Sequence, residues 1–570
     1  MMPDHSAGGA DGPAADMREL TIDVRGMTCV HCEQTVVHAL QSVPGVREVL
    51  EVSHASGVAR VTAGSEATAE RIEQAVTRAG YGAEVRPGQI AAGAATVKPA
   101  GRKEGEFGLA IVGGGSAGFA AAIKAAELGA RVAIAESRTL GGTCVNVGCV
   151  PSKTLIRAAE ALHRRMHHGF SGIPVADGRG DWAMVRSQKD ELVSELRQAK
   201  YWSVLRSYPG VTLFEQRAEI TSGHTVRLMD GRTIVAGKIL VTTGASPWAA
   251  PIPGLGPAGY LDSTTAMALD RLPESLIIIG ASAVGLELSQ MFARLGVRVT
   301  VLEALPWVVP MEDPEIGSAL GDYLRREGLE VHAGVAIEQV RRDVRGYSVS
   351  FRDGSEVHTA HAERLLVATG RRANTTGFGL ETVGVMFGEK GEIVVDEFLQ
   401  TANPDVYAAG DVLGDPMFVY VAAYAGTVAA ENALTGHRRR YDLTALPKVT
   451  FTDPAVASVG LTEHQARDQG IEPLVSKLPL EHVPRSLAAR DTRGFVKLVA
   501  DAATRKIIGA HVLAAEAGEM ITEPTLAIKL GLTIENLAAA FHPYLTLSEG
   551  IKLAAQTFDR DVAKLSCCAA

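Results

Sequence analysis

The sequence predicts an α/β protein with two parallel-sheet units of one design, preceded by a small βαββαβ unit. Three observations predict it. The first is length: 570 residues are too many for a single hydrophobic core, so roughly three to five domains are expected. The second is an internal repeat, since Phe107–Glu136 and Leu276–Glu303 both run apolar strand, glycine-rich turn, helix, strand. In each, an acidic residue stands 23 positions after the first glycine. The third is a stretch from Met17 to about Arg86 that alternates strand and helix periodicities.

The composition, 46% hydrophobic and 21% charged, is that of an ordinary globular protein and excludes disorder or a collagen-like architecture for most of the chain. The net charge of −9, with no basic block, argues against nucleic acid as the main partner. Residues 1–16 are small and polar, are expected to be disordered, and lack the apolar core of a signal peptide. Residues 19–26 then alternate as a strand, and 32–45 carry helical spacing that ends at Pro44-Gly45. Residues 46–63 read as two strands, 70–80 as a helix and 81–86 as a last strand. That order is a ferredoxin-like split βαβ unit, assigned to 17–86. Residues 87–105, rich in Gly, Ala and Pro, read as a flexible linker.

The two repeats are Rossmann-like dinucleotide-binding units. In the first, Gly113 makes the tight turn, Gly115 lets backbone approach a pyrophosphate, and Gly118 packs helix on strand. Glu136 is then placed to hydrogen-bond a ribose hydroxyl. The second repeat has Gly280 and Gly285 but puts Ser282 where the middle glycine belongs. Its acidic residue, Glu303, favours a free ribose 2′-hydroxyl over a 2′-phosphate, and no Arg or Lys lies in Ala304–Met311 to offset it.

Six cysteines fall in three close pairs: Cys29 with Cys32, Cys144 with Cys149, and Cys567 with Cys568. These are too few for a disulfide-stapled fold and point to metal binding or redox chemistry in a reducing, cytoplasmic compartment. Apolar runs such as Leu276–Leu288 are short and glycine-interrupted, so no membrane span is expected. Cys144 and Cys149, five apart, would not share a face of a regular helix. Pairing them requires a distorted helix start, for which Pro151 and the nearby glycines are the breakers.

The segment Gly141–Lys153 resembles the active-site segment of the flavin-dependent pyridine nucleotide-disulfide oxidoreductases. The resemblance extends to Val241–Ser246, Val367–Arg372 and Thr401–Val412, and continues from about Leu446 into a C-terminal domain. It implies FAD held by Gly113, Gly115, Ala117, Gly118, Glu136, Gly142, Thr143, Lys153, Ala218, Asp411 and Val419. It implies NAD(P)H on Gly280, Ser282, Gly285 and Glu303. Cys149 becomes the thiolate against the flavin, with its pKa depressed by a helix N-terminus and a lysine, and Cys144 exchanges with substrate. Lys153 stands beside the flavin, paired with Glu287. The implied architecture is an FAD domain of 106–255 and 373–445, an NAD(P)H domain of 256–372, and an α+β dimerisation domain of 446–570 that completes a homodimer.

Within that family the chain is similar to the branch that reduces mercury(II), which implies Hg(II) as substrate, brought as thiol complexes from a transporter or metallochaperone. Relatives that reduce disulfides carry a His-Pro pair with a Glu five residues after the His. Counting back from Glu549 gives Tyr544, whereas His542 is two positions off. A phenol of pKa about 10 is a poor proton shuttle, though it can face a bound metal; it also reads as an interface aromatic. Cys567-Cys568 near the C-terminus are suited to capturing a thiophilic ion, although thioredoxin reductases of one class also carry a C-terminal redox pair. Cys29-Val-His-Cys32 matches the loop of a heavy-metal-associated domain, and a thioredoxin-like use of the motif fits the βαββαβ order poorly. Tyr201 reads as a helix-packing residue, while the resemblance puts it near the substrate. His163, His167 and His168 lie among arginines and read as a solvated face. The rival readings are a dihydrolipoamide dehydrogenase-like disulfide reductase and a non-catalytic metal-trafficking flavoprotein.

Overall fold

The computed structural model describes residues 18–27, 30–54, 57–64, 66–85, 106–176, 178 and 180–562. They fall into two units, one within 1–100 and one within 101–570. The expected disordered N-terminus, the whole linker of 87–105, and Cys29, Cys567 and Cys568 lie outside the described residues.

The first unit runs β1 (Arg18–Arg25), α1 (Val30–Gln41), β2 (Val46–Ser53), β3 (Val58–Ala63), α2 (Ala69–Arg78) and β4 (Gly82–Val85). Its sheet has the order β2-β3-β1-β4, and every pairing is antiparallel. Strand β3 turns Ala59, Val61 and Ala63 inward, onto Ile22, Val36, Leu40, Ile72 and Val76. Helix α1 ends at Gln41, ahead of the Pro44-Gly45 turn, where Gly45 takes φ +92°. Cys32 sits half-buried in the opening turn of α1 and packs against the unit's core.

The second unit opens with β5 (Phe107–Val112), α3 (Ser116–Glu127), β6 (Val132–Ala135), α4 (Gly142–Val147), α5 (Cys149–Met166) and α6 (Trp182–Arg197). It continues through β7 (Val211–Phe214), β8 (Ala218–Ser222), β9 (Thr225–Leu228) and β10 (Thr233–Val241). Strands β7-β6-β5-β10 are parallel, and Val406–Ala408 adds alongside β10 from far down the chain. The unbroken apolar runs of β5 and β6 follow from helices covering both faces of a parallel sheet. One cover is helix Val419–Thr435, which presses on α3 through small residues. A Cβ on Gly426 would stand 2.0 Å from the Ala117 carbonyl oxygen. Gly426→Val is therefore expected to lower stability by about 2–3 kcal/mol and to reduce flavin retention, read by thermal unfolding and the flavin-to-protein absorbance ratio.

The repeat follows as β11 (Ser275–Ile279), α7 (Ala283–Arg294), β12 (Arg298–Glu303), α8 (Pro314–Arg326), β13 (Glu330–Ala333) and β14 (Arg364–Val367). These form a parallel sheet of order β13-β12-β11-β14. An antiparallel meander of 336–343, 346–353 and 356–362 stands between β13 and β14. The chain closes on a five-stranded antiparallel sheet of Lys448–Thr450, Ala455–Gly460, Ile507–Ala514, Phe495–Asp501 and Pro473–Pro479, in that spatial order. Ion pairs tie this sheet to the repeat: Lys497 Nζ lies 2.9 Å from the buried Asp313 and 2.7 Å from the more exposed Glu315. Of the three histidines expected on a solvated face, His167 is exposed, but His163 is largely covered beside Glu327 and Arg294. Burial, reinforced by the Arg294 charge, lowers the His163 pKa to about 4. Among the described residues no helix is long and apolar enough to cross a membrane.

Candidate active site

The two glycine-rich turns are built alike. Gly113 takes φ +112°, and a Cβ there would stand 2.3 Å from the Thr242 carbonyl oxygen; at Gly280 the values are +102° and 2.5 Å, to Ala368. A Cβ on Gly118 would meet the Gly113 carbonyl oxygen at 2.1 Å, and on Gly285 the Gly280 oxygen at 1.9 Å. Only glycine fits these four places. The middle position is different. Gly115 (φ −76°, ψ −171°) and Ser282 (φ −79°, ψ −175°) cap their helices with the same extended backbone, which any residue adopts. The serine is thus no departure in conformation.

Each turn is closed by its acidic residue. Glu136 accepts the N–H of Gly114 at 2.6 Å and of Arg138 at 2.7 Å. Glu303 accepts the N–H of Ala281 at 2.6 Å and of Leu305 at 2.9 Å. Above each turn opens a twelve-residue helix, α3 or α7, whose unpaired N–H groups suit a pyrophosphate. The residues present fit a dinucleotide at both places.

The other residues expected around the first turn gather there. Gly142, at φ +63°, lies so close that a Cβ would stand 2.6 Å from the Gly115 Cα, and Thr143 follows it into α4. Ala117 is held between Gly410 and Gly426. Asp411 opens a short 3-10 turn, where burial raises its carboxyl pKa against the opposing pull of Arg371. Val419 opens the long helix that covers α3. Ala218 heads β8 and shares a buried apolar cluster with Val112 and Val412.

Cys144 lies in α4, and Cys149 is the first residue of α5. The break between the helices falls at Gly148 (φ −121°, ψ −108°), where a Cβ would crowd the Thr143 oxygen at 3.0 Å and the Cys144 Cα at 3.3 Å. Pro151, expected to be a breaker, instead occupies the first turn of α5, where its missing N–H leaves no bond unmade. The kink brings the two thiols into hydrogen-bond contact. Cys144 donates to Cys149, and this bond is the largest influence lowering the Cys149 pKa to about 7; burial opposes it and the Lys153 ammonium adds to it. Cys144 is driven upward by the same bond and by burial. Near neutrality Cys149 is therefore partly thiolate, while Cys144 stays a thiol.

Lys153 lies one turn along α5 and reaches the buried carboxylate of Glu287 on α7 at 2.7 Å. The other Glu287 oxygen accepts the Phe451 N–H at 3.0 Å, and the ammonium sits 4.6 Å from the centre of the Phe451 ring. Phe451 carries no sequence signal, because what Glu287 uses is a backbone N–H.

Tyr201 lies in a π-helical turn, Gln198–Trp202, continuing α6. Its ring packs on Phe119 of α3 with centroids 4.8 Å apart and borders Gly141. Burial raises its phenol pKa, a bond with Ser116 opposes this, and the charges of Cys144 and Cys149 add to the rise. It is both a packing residue and a neighbour of the dithiol. Tyr544 lies on an exposed turn between Ile534–Ala539 and Glu549–Gln556. His542 faces away toward Glu523, whose oxygens lie 2.8 and 2.9 Å from Nε2, and this pairing raises the histidine pKa.

Residues 107–426 match the pyridine nucleotide-disulphide oxidoreductase family, and 446–555 match its dimerisation domain. Residues 21–82 match the heavy-metal-associated domain. The chain is 42% identical to a mercuric reductase of Staphylococcus aureus over 96% of this chain and 98% of that one. It is 50% identical to a mercuric reductase of Streptomyces lividans over 81% of this chain and 98% of the relative. Among solved structures it is similar to the HOCl-induced flavoprotein disulfide reductase RclA of Escherichia coli, with TM-score 0.70 and 30% identity, covering 79% of this chain and 99% of that one. The chain belongs to the pyridine nucleotide-disulphide oxidoreductase family, in its mercuric reductase branch.

Proposed function

We propose that the protein reduces Hg(II) to Hg(0) with electrons from NAD(P)H, as a detoxifying homodimer in the cytoplasm. The observation that carries this reading is the Cys144–Cys149 pair, brought into hydrogen-bond contact where α4 and α5 meet, with the Cys149 pKa lowered to about 7. Linear two-coordination by thiolates suits a soft ion. Hg(II) arrives bound to two carrier thiolates, from a transporter or metallochaperone. The pair Cys29/Cys32 or Cys567/Cys568 collects it. Cys149, in its thiolate form, displaces one carrier thiolate; Cys144 displaces the other and gives its proton to that leaving group. Gly113, Gly115, Gly118 and Glu136 would hold FAD, which would supply two-electron transfer from NAD(P)H to the dithiol site, the overall balance being NAD(P)H and Hg(II) to NAD(P)+, H+ and Hg(0). The ion stays ligated throughout, and Tyr201 and Tyr544 bound its place.

Two features disfavour disulfide turnover. The position five before Glu549 is a tyrosine, and His542 is engaged by Glu523. The test is NADH and NADPH oxidation with Hg(II) and excess thiol, compared with lipoamide and oxidised glutathione. Rapid oxidation with Hg(II) alone is expected. Turnover with the disulfides and none with Hg(II) would overturn the reading, as would Hg(II) binding with no nucleotide oxidised.

A further inference from the structure

We infer that this chain selects NADH, and that Glu303 is the residue that turns away the 2′-phosphate of NADPH. The inference rests on the second glycine-rich turn being the nicotinamide-nucleotide site. Glu303 is only 7% exposed, and two backbone N–H groups, those of Ala281 and Leu305, fix its carboxylate at the end of β12. Each oxygen keeps a lone pair able to accept from a ribose hydroxyl. The first turn offers an internal reference. There Glu136 is held by Gly114 and Arg138 in the same way, at a site whose nucleotide, FAD, has a free adenosine ribose.

A 2′-phosphate carries close to two negative charges near neutrality, and sites that take one place an arginine beside it. The second turn does the opposite. Arg138 of the first turn is replaced by Leu305, two residues past the carboxylate in each case. Residues Ala304–Met311 hold no Arg or Lys, and Glu312 and Asp313 follow. Arg325 lines the hollow beside Trp307 and Val308, but its guanidinium is engaged by the Asp322 carboxylate at 2.9 Å and the Val331 carbonyl at 3.1 Å. A buried carboxylate followed by a loop without Arg or Lys, with Arg325 already bonded to Asp322 and Val331, repels the phosphate.

The test uses the FAD-loaded full chain. Calorimetry compares ADP-ribose with its 2′-phosphate, with no mercury present, and kcat/KM is measured for NADH and NADPH with Hg(II). ADP-ribose is expected to bind at least tenfold more tightly, and NADH to be favoured by a similar factor. Glu303→Ala should narrow both ratios, and Glu303→Ala with Leu305→Arg should invert them. Equal binding of the two probes, binding of neither, or ratios unmoved in both variants would overturn the inference. Selective binding of ADP-ribose without mercury turnover would instead count against the proposed reaction and leave the nucleotide choice standing.

Discussion

Cys144→Ala is expected to abolish Hg(II)-dependent NAD(P)H oxidation, lowering kcat/KM by roughly a thousand-fold or more, about 4 kcal/mol of transition-state stabilisation. Two losses combine. The ion is left with one protein thiolate, so a carrier thiol remains attached and the second exchange cannot occur. Cys149 also loses the hydrogen bond that contributes most to its low pKa of about 7. A bond to a charged acceptor is worth about 1.5–3 kcal/mol, so the thiolate population at pH 7 should fall roughly tenfold or more. Cys144→Ser separates the effects, because a hydroxyl still donates to the Cys149 thiolate but is a poor ligand for mercury. The alkylation rate of Cys149 against pH should move to higher pH in the alanine variant and far less in the serine variant. Activity should be lost in both. Retained mercury-dependent oxidation in Cys144→Ala would sink the two-thiol scheme.

What could be read in the sequence was what local sterics or short spacing encode. Gly113, Gly118, Gly280 and Gly285 are demanded by carbonyls that lie immediately against them, so strand, turn and acidic residue announce the geometry together. Ser282 looked like a departure because spacing cannot show that the middle position takes an extended backbone open to any residue. The glycine half of the expected break falls at Gly148, whereas Pro151 is not a breaker there. A proline is a breaker only in the body of a helix, and nothing local says that a new helix begins two residues before it. Contacts across the chain were the least legible. Lys153 and Glu287 are 134 residues apart, and only the family resemblance joined them. Phe451 contributes through its N–H, which every residue but proline possesses. The covered His163 shows the same limit from the other side: its helix reads as solvated until Glu327 and Arg294 arrive from the second repeat.

The Lys153–Glu287 pair should tune Cys149 in opposite directions depending on which partner is removed. The ammonium lowers the Cys149 pKa and the carboxylate raises it. Lys153→Met is therefore expected to move Cys149 ionisation above pH 7, and Glu287→Gln to move it below. A charge 2.7 Å from its partner is largely cancelled at a distance, so each single removal exposes the one that remains. Stability should respond differently. Glu287 is buried and accepts from two donors, Lys153 Nζ and the Phe451 N–H. Glutamine can present its oxygen to only one of them and must aim its amide N–H at the other, a cost of about 1–3 kcal/mol. Alanine leaves both donors unanswered and should cost about 3 kcal/mol or slightly more. Lys153→Met removes the more exposed partner but strands the Glu287 charge, so it too should destabilise, though Phe451 still donates to that carboxylate. Urea unfolding of the FAD-loaded protein ranks the three, and the pH profile of Cys149 alkylation reads the direction. If Lys153→Met and Glu287→Gln shifted that profile the same way, the pair would be a clamp between helices and the redox thiolate would answer only to Cys144.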